Sequence, residues 1–163
     1  MNRIVISIDP GVNGGICASH PNGSAMEIHK MPETIYDIRE TLTAIVEDQL
    51  WFPEPAICFI ELPPWSMGIN KGVGSVKLHH NRGVLEGMLV AMGVKLVNVP
   101  PQKWQKTFSL GTRSSCANDA AWKNKLKAEA QRIYPNLKVT HAVADALLIL
   151  TYGLRELETK SHL

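Results

Sequence analysis

The sequence predicts an α/β domain on a mixed five-stranded sheet, a three-stranded antiparallel meander plus two parallel strands, flanked by helices. Three observations carry this reading. Three strand-like runs follow one another between residues 4 and 30, with only turns between them. Two further apolar runs, at residues 56–60 and 94–99, each follow a stretch with helical periodicity. Everything beyond Pro101 reads as helix. The resulting order, β-β-β-α-β-α-β-α-α, suits strands buried between helical layers. The 163 residues are expected to form one domain spanning 1–163, long enough to bury a real core.

Each element has its own warrant. Residues 4–8 are β-branched and apolar and run into Asp9-Pro10-Gly11, a buried strand stopped by a turn. Residues 14–20 and 25–30 read as strands joined by Pro21-Asn22-Gly23-Ser24, where Asn-Gly predicts a tight hairpin. Thr34 is placed to cap a helix whose Ile35, Ile38, Leu42, Ile45 and Val46 recur at helical spacing, with Pro53 and Pro55 closing that region. The strand at 56–60 ends in Glu61 before Pro63-Pro64, and a glycine-rich loop at 68–74 leads to a helix through Leu89. The strand at 94–99 is stopped by Pro100-Pro101. A turn around Trp104, a helix at 119–134 and a last helix at 140–157 complete the chain.

Composition narrows the class. The chain is 45% hydrophobic and 20% charged, which is globular, and no apolar run reaches the ~20 residues of a membrane span. Three separated cysteines without a Cys-x-x-Cys pair exclude a zinc ribbon and argue against a disulfide framework. With no signal-peptide pattern after Met1-Asn2-Arg3, a cytoplasmic location is expected. Net charge is only +2, but residues 100–139 hold Lys103, Lys106, Arg113, Lys123, Lys125, Lys127, Arg132 and Lys138 against Asp119 and Glu129. Such a stretch suits a phosphate-bearing partner and equally suits a solvated helix face.

The chemistry rests on three acids. Asp9 and Glu61 each end a buried strand just before a chain-turning residue, a rigid place beside the loops where α/β proteins bind ligands. On neighbouring strands they would share one small volume. Two unit charges about 4 Å apart repel by about 4 kcal/mol at an effective dielectric of about 20, so such a pair needs a cation or a shared proton. Asp145 lies in the apolar run His141-Ala142-Val143-Ala144-Asp145-Ala146-Leu147-Leu148, where an unpartnered carboxylate is costly to bury. His141, one turn earlier, shares its helix face. Together Asp9, Glu61, Asp145 and His141 make an oxygen-rich set suited to Mg²⁺ or Mn²⁺. Taken singly, Asp9 also reads as a turn aspartate, Glu61 as a strand-end charge and His141 as part of a helix start. Gly11, Gly14 and Gly15 fit a phosphate-binding hairpin, room for a DNA strand, or a turn alike.

The chain resembles the RuvC-like Holliday junction resolvases, particularly the compact phage-type members. The resemblance rests on Ile8-Asp9-Pro10-Gly11-x-x-Gly14-Gly15, Ile60-Glu61, Gly83-x-x-Glu86-Gly87, Val99-Pro100-Pro101-x-x-Trp104-x-Lys106, and the stretch from His141 through Asp145 to Ile149. It covers nearly the whole chain in order. It implies a ribonuclease H-like fold and a homodimer, formed through the helix at 74–92, that nicks two strands of a four-way junction. It also implies two Mg²⁺ ions per site, held by Asp9, Glu61 and Asp145, with His141 at a position where the family carries a further acid or histidine. The family often spaces that residue and the last acid three apart, whereas His141 and Asp145 are four apart. Lys103, Lys106, Lys123, Lys125 and Lys127 would hold the DNA backbone, and Trp65 would stack on bases at the crossover or fold against its own prolines. Trp104 and Trp122 read as core or groove residues, with packing the favoured role. No membrane and no small-molecule cofactor are implied.

Three other readings use the same features. An actin-like ATP-binding half has the same element order but needs a second lobe and a second glycine loop, which 163 residues do not hold. A related nuclease acting on forks, flaps or RNA·DNA hybrids would use the same acids. A catalytically silent junction-binding protein would not call for buried negative charge.

Overall fold

The computed structural model describes residues 2–23, 26–63 and 73–161. A five-stranded sheet has β1 (Val5–Asp9) at its centre, in the order β3-β2-β1-β4-β5. β2 (Gly15–Ser19) and β3 (Met26–Lys30) pair antiparallel, giving the meander. β4 (Ile57–Glu61) and β5 (Lys95–Val99) run parallel to β1 on its other side. The expected mixed sheet is present. One connection departs from expectation: β2 ends at Ser19 and β3 starts at Met26, so the link is longer than the four residues 21–24 expected. Pro21–Gly23 forms a 3₁₀ turn with Gly23 at φ 68°, so the Asn-Gly pair shapes a wider corner.

Strand alternation sends successive side chains to opposite faces and so builds two cores. Ile4, Ile6, Ile8, Ile16, Cys58 and Ile60 face α1 (Ile35–Val46) and α2 (Val73–Ala91). Val5, Cys17, Ile57 and Phe59 face α3 (Pro101–Lys106), α4 (Asp119–Ile133) and α5 (His141–Ser161). Thr34 caps α1 as predicted, its hydroxyl accepting from the Asp37 amide at 3.1 Å.

α5 is the element that matters most for function. Its residues from Val143 to Gly153 are all buried, and it lies on β1 and β2. Small residues make that approach possible. A Cβ on Gly15 would stand 2.9 Å from the Ala142 carbonyl, and one on Gly153 would enter the Phe59 ring at 2.7 Å from Cε2. A buried bond fixes the register, the Ser7 hydroxyl donating to the Ala146 carbonyl at 2.7 Å. Among the described residues no helix is long and apolar enough to cross a membrane.

Candidate active site

Asp9 and Glu61 close adjacent parallel strands. Ile8 pairs with Ile60, so the next residue on each strand, Asp9 and Glu61, projects from the opposite face, the one that α5 covers. Asp145 sits beside Ala146, whose carbonyl is tied to Ser7 two residues before Asp9. The register of one buried hydrogen bond thus delivers the third acid to the other two.

Each carboxylate is held separately. Asp9 Oδ1 accepts the Gly11 amide at 3.1 Å. A Cβ on Gly14 would lie 2.7 Å from Asp9 Cγ, so only glycine leaves that carboxylate its place. Glu61 Oε1 accepts the Trp104 indole N–H at 3.0 Å. Asp145 Oδ2 accepts from the Lys123 ammonium, while its Oδ1 is buried with no hydrogen-bond partner among the described residues.

The electrostatics show the three acids crowding one another. Burial raises Asp9 above the ordinary aspartate range and the Asp145 charge adds to it, opposed by the Gly11 amide and Lys123. Burial, then the charge on Asp9, pushes Glu61 up to about 8, with the Trp104 N–H pulling the other way. Lys123 is the compensating cation. Burial works against its charge, yet Asp145, with Asp9 and Glu61 behind it, raises it above the usual lysine value.

Among the described residues no three His, Cys, Asp or Glu side chains already close around one point as a metal cage. The donor chemistry nevertheless fits a hard divalent cation. Among the described residues three mutually repelling carboxylates are balanced by Lys123, and a buried Asp145 oxygen has no donor. Asp9, Glu61 and Asp145 are the residues that would hold such an ion, and the Lys123 ammonium occupies the position of a stand-in cation.

The other predicted residues separate into near and far. His141 is exposed on the first turn of α5, its Nε2 bonded to Asn124 Oδ1 at 2.8 Å rather than to the acids. A groove of about 1090 Å³ runs outward from Glu61 and Asp145 past Lys123, Trp122, Lys106 and Arg113. Lys127 is one helical turn beyond Lys123, and Lys125 is exposed on α4. Lys103 faces a different cavity of about 590 Å³, its ammonium 5.9 Å from the Tyr152 ring centre. Trp104 and Trp122 are buried, as packing residues should be. Trp65 lies outside the described residues.

Comparison with known proteins follows this geometry. Two solved structures of Thermus thermophilus RuvC align with the chain, each over 90% of both chains. One, in complex with a Holliday junction substrate, gives a TM-score of 0.59 at 14% identity. The other gives 0.56 at 16% identity. The fold is RuvC-like. This agrees with the ribonuclease H-like fold that the resemblance implies and that element order alone shares with an actin-like half, and the likeness is one of fold. No family model matches the chain, nor does any curated protein.

On this RuvC-like fold, three roles escape sequence reasoning. Lys123 reads from sequence as a DNA-backbone lysine, but it pairs with Asp145 across two helices. Trp104 reads as a core or groove residue, and nothing in the sequence shows that it also donates to Glu61. Asn124 gives no sequence signal for its bond to His141.

Proposed function

We propose that this chain is a structure-selective endodeoxyribonuclease that resolves four-way DNA junctions by paired, metal-dependent phosphodiester hydrolysis. The supporting observation is the convergence of Asp9, Glu61 and Asp145, each feeling another's charge, at the strand ends of a RuvC-like fold. Binding DNA alone gives no reason to bury three acids in a protein that must meet phosphate.

The residues divide the work. Asp9, Glu61 and Asp145 hold Mg²⁺, or Mn²⁺ in its place, two ions per site. When bound, such ions activate water and stabilise the leaving 3′ oxygen of an in-line displacement. Gly11 and Trp104 fix the orientation of the first two carboxylates. Lys123 balances the acids and stands at the mouth of the groove that would take the strand. Lys106 and Arg113 flank that groove and hold phosphates, with Lys127 and Lys125 farther along α4, whereas Lys103 faces the other cavity and is left out of that path. His141 and Asn124 border the site as a polar pair open to the substrate. α2 exposes Val76, His80, Gly83, Gly87 and Val90 at helical spacing, a stripe on which two copies pair about a twofold axis. A twofold dimer suits a junction of near-twofold symmetry and two symmetric nicks.

The test is a labelled four-way junction against a linear duplex of the same sequence, in Mg²⁺ and in EDTA, with Asp145→Asn alongside. Paired nicks confined to the junction and lost in EDTA and in the variant are expected. Equal cutting of forks or duplex would leave a nuclease without junction selectivity. Tight junction binding with no cleavage in Mg²⁺ would refute the catalytic reading.

A further inference from the structure

We infer that Trp104 is a positioning residue for Glu61, holding one carboxylate oxygen through its indole N–H so that the other is left to a cation. This rests on the metal-nuclease reading above and adds to it a residue with no charge of its own.

The geometry is built from rigid parts. Glu61 ends β4 opposite Val99, the last residue of β5, and the Leu62 amide donates to the Val99 carbonyl at 2.9 Å. Directly after Val99, Pro100 and Pro101 restrict φ at two successive residues, and Pro101 begins α3. Trp104 lies one turn along, fully buried, its ring packed in the core under α4 and α5. Its Nε1 is therefore aimed by packing on every side, and it meets Glu61 Oε1 at 3.0 Å. Phenylalanine would fill most of that space without placing a polar atom in the core. An indole N–H donates and never accepts, so it fixes Glu61 Oε1 in the role of acceptor and leaves Oε2 without that contact. Hydrogen bonds of this kind orient a ligand group, and their loss typically lowers metal affinity or activity by about 10- to 100-fold.

The experiment compares Trp104→Phe with the wild-type chain by Mg²⁺ titration, read as thermal shift, and by junction binding in EDTA. Mg²⁺ affinity is expected to fall by about 10- to 100-fold while junction affinity stays within about twofold. Ile45→Ala, a core truncation in the opposite layer, controls for lost stability and should leave Mg²⁺ affinity unchanged. Wild-type Mg²⁺ affinity in a folded Trp104→Phe protein overturns the positioning role alone. A wild-type chain that neither binds Mg²⁺ nor cuts junctions overturns the nuclease reading and this one with it. If Trp104→Phe does not fold, the Trp104 indole ¹H–¹⁵N resonance of the wild-type chain decides. It should shift with saturating Mg²⁺, and it should lose that response in Glu61→Gln. An indole signal unmoved by Mg²⁺ that does bind would overturn the inference.

Discussion

Replacing Glu61 with glutamine should stabilise the metal-free protein, and by an amount that grows with pH. In the folded chain burial and the neighbouring acids push Glu61 up to about 8, against an ordinary value of 4.5. The sign follows from proton counts. Between these two values the folded state binds the proton and the unfolded state does not, so stability present below about pH 4.5 is lost as pH rises toward about 8. At 1.36 kcal/mol per unit, the loss relative to the fully protonated state is about 1 kcal/mol at pH 5, about 3 at pH 7 and about 4 at pH 8. Glutamine keeps an acceptor for the Trp104 indole and cannot ionise, so any fixed cost of the substitution cancels when the two proteins are compared across pH. The assay is urea unfolding of both proteins in EDTA at pH 5, 6, 7 and 8. The advantage of Glu61→Gln should widen by about 3 kcal/mol across that range. Excess Mg²⁺ should narrow the gap, because a cation on the acids favours the ionised form. Parallel stability curves, differing by less than about 1 kcal/mol in their pH dependence, would refute the view that the acids crowd one another.

Two further outcomes follow from other contacts. Ser7→Ala removes the buried bond to the Ala146 carbonyl and should cost about 1 kcal/mol in urea unfolding. It should also slow Mg²⁺-dependent cleavage, since that bond sets where α5 carries Asp145; an unchanged rate would show that packing alone holds the helix. Lys106→Ala should weaken junction binding similarly for all sequences and reduce the salt slope by about 1, as for a lysine on a phosphate. A slope equal to that of the wild-type chain would remove Lys106 from the DNA path.

Most of the secondary structure was legible in the sequence because its signals are local. The β-branched run into Asp9-Pro10-Gly11 marks both a buried strand and its end, and the observed strand takes in Asp9 itself. Thr34 before an amphipathic run marks a helix start, and the cap is there. The turn at Pro21–Gly23 was less legible, because Asn-Gly reports only that one residue takes a positive φ and leaves the length of the connection open. The acids were legible for a different reason. A carboxylate at a strand end, or inside an apolar helix, conflicts with its surroundings, and the conflict is visible without coordinates.

What touches those acids was not visible. Lys123 and Asp145 are 22 residues apart, and Trp104 and Glu61 are 43 apart, on elements whose contact depends on how the helices lie across the sheet. His141 illustrates the same limit from the other side. Helical spacing places it on the face of Asp145, but tertiary packing turns its Nε2 to Asn124. By itself the sequence determined the element order, the sheet flanked by helices and which three acids conflict with their surroundings, because period and polarity are properties of neighbouring residues. Only the tertiary structure decided that β1 and β4 are adjacent, that α5 is held in register by Ser7, and that an indole and a lysine share the carboxylates. Those are relations between distant segments, and they are set by close packing and buried hydrogen bonds that form only when the chain has folded.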